Sequence, residues 1–71
     1  MFYEDFLDLV DKTFHQNPEL RYGQTVMIVL YTVWPSKHSE LVANHVDCFY
    51  DNSNVDFVLT HLKTTWHEKF S

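Results

Sequence analysis

Apolar residues recur at helical spacing through the first sixteen positions of the chain. Phe2, Phe6, Val10 and Phe14 are four residues apart and would lie on one face of an α-helix. Charged residues fall mostly on the other side, and acidic residues in the first turns suit the positive end of a helix. The pattern predicts an amphipathic helix from about residue 2 to residue 16.

A second helix is predicted from Pro18 to about Trp34. Asn17 is a good N-cap, and proline is favoured at the first helical position. The middle of this segment, residues 26–31, is apolar on every side, which is typical of a central and buried helix. Its Val, Ile and Tyr residues also favour strands, so one buried strand is the alternative. We prefer the helix because no other segment has the pattern of a partner strand.

Pro35 separates the second helix from a short third helix. We expect the third helix to run from residue 36 to about residue 45, with Leu41 and Val42 facing inward. Residues 46–52 are then a predicted loop that contains two aromatic residues.

The last helix is predicted to start near Ser53. Ser53 followed by Asp56 three residues later is similar to a capping box. Apolar residues then follow at helical spacing, namely Val55, Val58, Leu62, Trp66 and Phe70. Together the segments predict an all-α fold, a compact bundle of three main helices plus one short helix, as a single domain of residues 1–71.

The composition indicates a packed helical domain of marginal stability. Hydrophobic residues make up 45% of the 71 residues and aromatic residues 17%, which supplies a large buried area per side chain. A chain of this size buries only about 60% of its unfolded surface. Its single cysteine excludes an internal disulfide, so packing or oligomerisation must stabilise the fold. A lone thiol fits a reducing compartment, and we predict a cytoplasmic location.

Neither a signal peptide nor a membrane span is expected. The first residues, Met1 to Asp5, lack the basic residues with which a secretory leader begins. The longest nearly apolar run, Val26 to Trp34, is far shorter than the ~20 residues that cross a bilayer.

The chain is acidic, with ten carboxylates against five lysine and arginine residues and a net charge of −5. Phosphate backbones and anionic membranes repel such a charge, so neither nucleic acid nor a membrane is an expected partner. A basic protein partner is compatible with it. Asp5, Asp8 and Asp11 recur every third residue on the polar face of the first helix. A solvated face is the simpler interpretation, and an acidic docking surface is the alternative.

Candidate catalytic and metal-binding groups are few. Five histidines are present, but no two are four residues apart, the spacing at which one helix face binds zinc. His45, Asp47 and Cys48 are close in sequence, and a metal site there would need a further ligand from elsewhere. We expect Cys48 to be a small buried residue, because no glycine-rich turn supplies an oxyanion hole for a nucleophile. No catalytic, cofactor or metal residue is assigned.

Gly23 and Arg21 are predicted to have structural roles at the start of the second helix. Gly23 is the only glycine, and a glycine within a helix costs about 1 kcal/mol relative to alanine. We expect it to allow the close approach of another helix or of the loop that carries Phe49 and Tyr50, which should fold back onto the core. Arg21 is the only arginine, and we expect it to pair with Asp51.

Four short features follow one another between about residues 20 and 62. They are Arg21-Tyr22-Gly23-Gln24, an apolar helix followed by Pro35 that opens a short helix, Asp47-Cys48-Phe49-Tyr50-Asp51, and a final helix with Phe57 and Leu62. In order and spacing they resemble a group of small uncharacterised proteins from phages and bacteria, whose pattern is an R-x-G-Q helix start, an N-P-E-L-type start and a D-x-F-Y-D turn. The resemblance implies an all-α fold and a phage origin, which would make the cytoplasm that of the host. It implies no catalytic residue.

These features favour a non-enzymatic protein-interaction module, such as a small phage accessory or host-takeover protein. The hypothesis rests on small size, high aromatic content and the lack of a recognisable catalytic motif. Exposed apolar patches often mark interfaces, and we also expect self-association into a homodimer. The candidate interface residues are Phe2, Tyr3, Trp66 and Phe70 near the two chain ends, together with Asp5, Asp8 and Asp11.

Two other functions stay open. A metal-binding protein would use His45, Asp47, Cys48 and a distant histidine as ligands. An acidic inhibitor that mimics nucleic acid would use the four carboxylates from Glu4 to Asp11 in place of phosphates.

Overall fold

The fold is a bundle of helices joined by short loops. The computed structural model describes residues 1–70, and no strand occurs among them. The elements are α1 (Tyr3–Gln16), α2 (Tyr22–Val33), α3 (Pro35–Ala43), a 3₁₀ turn (Asn52–Asn54), α4 (Val55–Thr65) and α5 (His67–Phe70). The predicted all-α bundle is confirmed, with α3 as its short helix and α5 as an additional short one. None of these helices has both the length and the apolar character that crossing a membrane requires.

The first loop differs from the prediction because Asn17 caps the end of α1. Its backbone N–H donates to the carbonyls of Thr13 and Phe14 at 3.0 and 3.2 Å, and its Nδ2 donates to Thr13 O at 2.9 Å. A side chain that satisfies the last carbonyls of a helix ends that helix. The prediction that Asn17 opens the second helix at Pro18 is therefore wrong.

α2 begins four residues later, at Tyr22. The backbone N–H of Arg21 donates to Gln24 Oε1 at 3.0 Å, so the glutamine reaches back to cap the helix start. At the other end, the Trp34 backbone leaves the helical region, with φ −148° and ψ 70°. The following Pro35 disfavours the helical region in the residue before it, which accounts for the end of α2 at Val33.

α3 ends two residues earlier than predicted, in a left-handed turn at His45. The φ of His45 is 58°, and its N–H donates to Val42 O at 3.1 Å. The N–H of Val46 donates to Leu41 O, also at 3.1 Å. These two bonds satisfy carbonyls at the helix end in the manner of a Schellman motif. They turn the chain into residues 46–51, the loop that carries Phe49 and Tyr50, which we call the aromatic loop.

The last helix starts at Val55, near the predicted position, but it is divided into α4 and α5 and is not continuous to Phe70. Asp51 Oδ1 accepts the N–H of Ser53 at 2.9 Å and its hydroxyl at 2.6 Å, so the capping group comes two residues before the expected one. At the end of α4, the hydroxyls of Thr64 and Thr65 each donate at 2.8 Å to a carbonyl one turn earlier. Such bonds compete with the backbone hydrogen bonds of the helix. The helix is interrupted at Trp66, and α5 begins at His67.

α2 is the centre of the bundle and packs between α1 and α3. α4 covers one side of these helices, and its Val58 and Leu62 are fully buried. Val26 and Leu30 of α2 are also fully buried, but Ile28, which lies on the opposite side of the helix, is 41% exposed. α2 is therefore central, as predicted, but it is open on the side away from α4.

Candidate functional site

Three of the four aromatic residues predicted to form an exposed interface, Tyr3, Trp66 and Phe70, pack against one another at the edge of the core. The Trp66 ring meets Tyr3 and Trp34 edge-on at centroid distances of 5.6 and 5.7 Å and stacks on Phe70 at 4.6 Å. Its indole Nε1 donates to the carbonyl of Met1 at 2.9 Å, and only 6% of the residue is exposed. We call Tyr3, Phe6, Trp34, Trp66 and Phe70 the terminal aromatic cluster.

The predicted interface at the chain ends is therefore wrong for Trp66. Tyr3 and Phe70 expose only part of their surface, and the Tyr3 hydroxyl donates to Leu59 O at 3.0 Å. Burial is also the main cause that raises the pKa of Tyr3. Phe2 alone is largely exposed, at 75%. The physical reason is that the start of α1 meets the end of α4, where large aromatic side chains close the core.

The acidic residues of α1 lie on the surface, and two of the three have local partners. Asp5 Oδ2 accepts the N–H of Phe2 at 3.2 Å, which caps the start of α1. Asp11 Oδ1 accepts the hydroxyl of Tyr22 at 3.3 Å, and its charge adds to the burial that raises the pKa of Tyr22. Asp8 is exposed. Asp5 and Asp11 therefore have structural roles that do not require a binding partner.

The apolar surface that the structure exposes lies on α2 and α3, away from α4. Seven large hydrophobic side chains are exposed in residues 1–70, and four of them lie on α2, α3 and the aromatic loop: Ile28, Tyr31, Val42 and Tyr50. Val42 is 44% exposed, so the prediction that it faces inward is wrong. Tyr50 is 83% exposed, so the prediction that it folds back onto the core is wrong, whereas Phe49 packs against the core. We call the surface formed by Ile28, Tyr31, Thr32, His38, Val42, Phe49 and Tyr50 the α2–α3 face.

A groove with a volume of about 220 Å³ lies on this face beside Ile28. Its lining comes from α2, α3 and the aromatic loop and consists of Met27, Ile28, Tyr31, Thr32, His38 and Phe49. The rings of Tyr31 and His38 meet edge to face at 5.1 Å, and those of Phe49 and Tyr50 meet at 4.8 Å. Small-molecule pockets commonly have volumes of roughly 300–1,000 Å³, so this groove is better matched to individual side chains of a partner.

A second groove of about 220 Å³ lies on the other side of the same α2 residues. Ile28 and Thr32 line both grooves, while Leu9 and Thr13 of α1 and Val29 of α2 complete the second one. Ile28 and Thr32 therefore form a ridge with a groove on each side. Ridges and grooves of this kind are the features through which helices pack against one another.

Gly23 sets the position of the aromatic loop that borders the first groove. A Cβ atom at this position would collide with the carbonyl oxygen of Cys48 and come within 2.7 Å of Asn52 Oδ1. The Gly23 N–H donates to Asn52 Oδ1 at 2.9 Å, and the Cys48 thiol donates to Gly23 O at 3.4 Å. The glycine thus allows the loop backbone itself to lie against α2.

Arg21 contacts the same loop but not through the predicted partner. Its Nη2 donates to the carbonyl of Phe49 at 3.4 Å. The Asp51 carboxylate accepts bonds from the hydroxyl and the N–H of Ser53, and these bonds lower its pKa. The predicted pairing of Arg21 with Asp51 is wrong because a local cap takes the carboxylate.

The residues considered for chemistry near Cys48 do not form a reactive site. Cys48 is fully buried, and this burial, with the Asp47 charge as a second cause, raises the pKa of its thiol to about 11. A thiol with such a pKa stays protonated near neutral pH and is a poor nucleophile and metal ligand. Within residues 1–70, no group of three or more His, Cys, Asp or Glu side chains is placed to hold a metal ion.

The linings of the two grooves contain no carboxylate, and Glu40 of α3 is exposed but pairs with Lys37. No Asp or Glu occurs from residue 20 to residue 39, and the only lysine in that range, Lys37, is 4% exposed. Arg21 lies at the edge, at the start of α2. In the neighbouring loop, Asp47 and Asp51 accept hydrogen bonds from their own loop. A molecule with a net charge of −5 thus presents one largely uncharged, apolar face.

Lys37 is buried, and its charge is paired with two carboxylates at the surface of the bundle. Its Nζ lies 3.2 Å from Glu40 Oε2, 3.8 Å from Glu68 Oε1 and 4.8 Å from the centre of the Trp34 ring. It also lies 3.3 Å from His61 Nε2, which accepts the hydrogen bond when that nitrogen carries no proton. The ammonium group therefore links α3 to α4 and α5.

No protein-family model, curated protein or solved structure matches this chain. The resemblance to small phage and bacterial proteins is therefore neither supported nor opposed, and it stays a prediction. Functional inference has to come from the surfaces of the molecule itself.

Sequence reasoning missed three residues that form the exposed face: Ile28, Tyr31 and His38. The apolar run of α2 concealed the first two, because every residue in it was expected to be buried. A usable signal was the spacing of charge. The chain has ten carboxylates, yet residues 20–39 contain none, and this stretch is longer than the α2 helix.

Proposed function

We propose that this protein is a non-enzymatic interaction module that binds a protein partner through the α2–α3 face. The observation that carries the proposal is the concentration of exposed apolar side chains there, with Ile28, Tyr31 and Tyr50 exposed by 41%, 61% and 83%. Contiguous apolar patches on small proteins mark interaction sites. A partner that covers such a patch gains roughly 25 cal/mol for each Å² of apolar surface removed from water.

The chemistry of the face supports binding rather than catalysis. Aromatic residues such as Tyr31, Phe49 and Tyr50 are enriched at the centres of protein interfaces. The titratable residues in the lining of the first groove are Tyr31 and His38. The Thr32 hydroxyl donates to Ile28 O at 3.3 Å and is thus used within its own helix. The lining therefore lacks the paired acid, base and nucleophile that a catalytic site needs.

Photo-crosslinking tests the proposal. A benzophenone amino acid replaces Tyr31 in one variant and Phe57 in a matched control, and each variant is irradiated in a lysate of the cells that produce it. Phe57 is 52% exposed and lies on α4, outside the α2–α3 face. We expect adducts of defined mass from position 31 and none from position 57, and mass spectrometry identifies the protein captured.

A second substitution distinguishes specific binding of a partner from nonspecific crosslinking. Ile28→Glu should suppress the adducts from position 31, because it places a carboxylate in an apolar contact. Phe57→Glu introduces the same charge elsewhere and should leave them unchanged, with circular dichroism showing that both variants are folded. Equal adducts from the two positions, or adducts that survive Ile28→Glu, would contradict the proposal.

A further inference from the structure

We infer that the partner of the α2–α3 face is a second copy of this chain, which forms a two-fold symmetric dimer across α2. The inference rests on the proposed function, because it names the occupant of the same face. It is carried by the charge, the shape and the size of the molecule.

The distribution of charge favours a second copy. Two molecules that each carry a net charge of −5 repel one another, so association is least opposed where carboxylates are absent. The two grooves beside Ile28 meet this condition, since neither lining contains a carboxylate and residues 20–39 contain none. A basic partner would instead gain from exposed carboxylates such as Asp5 and Asp8, which lie on α1.

The shape of the face is complementary to itself. The ridge formed by Ile28 and Thr32 has a groove on each side. A two-fold axis that passes near this ridge places the ridge of each copy in the first groove of the other. Ile28 of one copy then contacts the Tyr31 and Phe49 rings of the other, and each copy fills the groove of its partner.

The size of the chain supports the same conclusion. A stable interface buries about 800 Å² on each partner, which is less than a fifth of the 4516 Å² surface of one molecule. The chain has one cysteine and hence no internal disulfide, and residues 1–70 contain no group of side chains placed to hold a metal ion. Small domains that lack such cross-links gain stability from oligomerisation.

Sedimentation velocity of the purified full chain is the first test. We expect a monomer–dimer equilibrium over concentrations from about 1 μM to about 500 μM. The dissociation constant should fall by about tenfold when the ionic strength rises from about 0.01 M to about 0.15 M, because salt screens the repulsion between two acidic copies. Binding of a basic partner would weaken with salt, so the sign of the salt effect distinguishes the two.

Cysteine crosslinking locates the two-fold axis. In a Thr32→Cys variant, the new thiol lies on the ridge and should form a disulfide with its own counterpart under mild oxidation. Thr64→Cys places a thiol at an exposed position of α4 and is the matched control, which should stay uncrosslinked. The native Cys48 is fully buried and does not compete. Ile28→Glu should be monomeric at every concentration used in sedimentation velocity, while Phe57→Glu should still form the dimer.

Each outcome decides the inference. A purified protein that stays monomeric over the whole range overturns it, and so does a dimer that survives Ile28→Glu or crosslinks equally at Thr32 and Thr64. If the monomeric protein still gives adducts from position 31 with a different protein in the lysate, the proposed function stands and only the second copy is excluded. If those adducts are absent as well, the proposed function fails too.

Discussion

Two groups of aromatic side chains differ in their surroundings in this molecule: the terminal aromatic cluster and the aromatics of the α2–α3 face. In the cluster, Trp66 is 6% exposed and its indole N–H donates to a backbone carbonyl. On the face, Tyr31 and Tyr50 are 61% and 83% exposed. Both groups pair rings edge to face at similar distances, 5.7 Å for Trp34 with Trp66 and 5.1 Å for Tyr31 with His38. Ring pairing alone therefore does not distinguish a core from a binding surface.

The difference comes from what covers each group. The end of α4 and the turn of α5 bring Trp66 and Phe70 together with residues of α1 and α2, and this packing excludes water from the cluster. In residues 1–70, no helix covers Ile28 and Tyr31. The buried group contributes to the free energy of folding, whereas the exposed group gains its hydrophobic free energy only on association. Substitutions in the two groups should therefore separate stability from association.

The largest expected effect is the loss of stability in Trp66→Ala. Removing a buried tryptophan costs about 3–5 kcal/mol, which is a large part of the roughly 4–10 kcal/mol expected for the whole chain. Urea unfolding followed by circular dichroism measures the change. The paired substitution Tyr31→Ala removes an exposed ring and should cost less than about 0.5 kcal/mol. Similar losses in the two variants would remove the contrast between the cluster and the face.

Gly23→Ala should have the next largest effect, at the junction between the core and the face. The added Cβ meets the carbonyl oxygen of Cys48, a backbone group that cannot rotate away, so the aromatic loop must shift. We expect a loss of about 2–3 kcal/mol in the free energy of unfolding. Chemical shifts of the Phe49 and Tyr50 rings should change as well. Thr64→Ala, at an exposed position of α4, is the control. If Gly23→Ala lowers the free energy of unfolding no more than Thr64→Ala does, the position of the aromatic loop does not depend on Gly23.

The existence of the helices could be predicted from the sequence, because their apolar spacing is regular, but some of their ends could not. Asn17 has the side chain of an N-cap, yet its amide and backbone N–H satisfy the last carbonyls of α1. Ser53 has a capping hydroxyl, yet Asp51 supplies the carboxylate that accepts two bonds. A motif of a few residues does not specify which helix end it serves, because neighbouring polar side chains compete for the same backbone groups.

The surface residues were harder to predict than the helices. Apolar periodicity cannot decide whether Ile28 or Leu30 faces the core, because that depends on how many helices surround α2. A chain of 71 residues supplies too few helices to cover α2 on all sides. The opposite error concerned Trp66, which was expected on the surface because it is near the chain end. It is buried because the start of α1 packs against the end of α4, a long-range contact that local pattern does not contain.

Ionisation of Cys48 should destabilise the fold at alkaline pH. Burial raises the pKa of its thiol in the folded state to about 11, well above that of an exposed cysteine, so the folded state binds the proton more tightly than the unfolded state. The resulting stability is complete below the unfolded pKa and is lost as pH rises toward the folded pKa. We expect a loss on the order of 2 kcal/mol between about pH 8 and about pH 10.5. The free energy of unfolding is measured against pH for the native chain and for Cys48→Ala. The variant lacks the contribution of the thiol and keeps that of the tyrosines. Identical pH profiles would show that the thiol is not protected.

Tyr50→Ser should cause the smallest change in stability. This variant gives the sharpest comparison between the terminal aromatic cluster and the α2–α3 face. Tyr50 is 83% exposed, and the ring it meets in its own chain is that of Phe49, at 4.8 Å. Its removal should alter the free energy of unfolding of the monomer by less than about 0.5 kcal/mol. If the ring lies in the interface between copies, the same substitution should weaken self-association by about fivefold or more, which corresponds to roughly 1 kcal/mol. Sedimentation velocity and urea unfolding on one preparation measure both quantities. A loss of stability with unchanged association would assign Tyr50 to the fold, and the α2–α3 face would then be smaller than the exposed rings indicate.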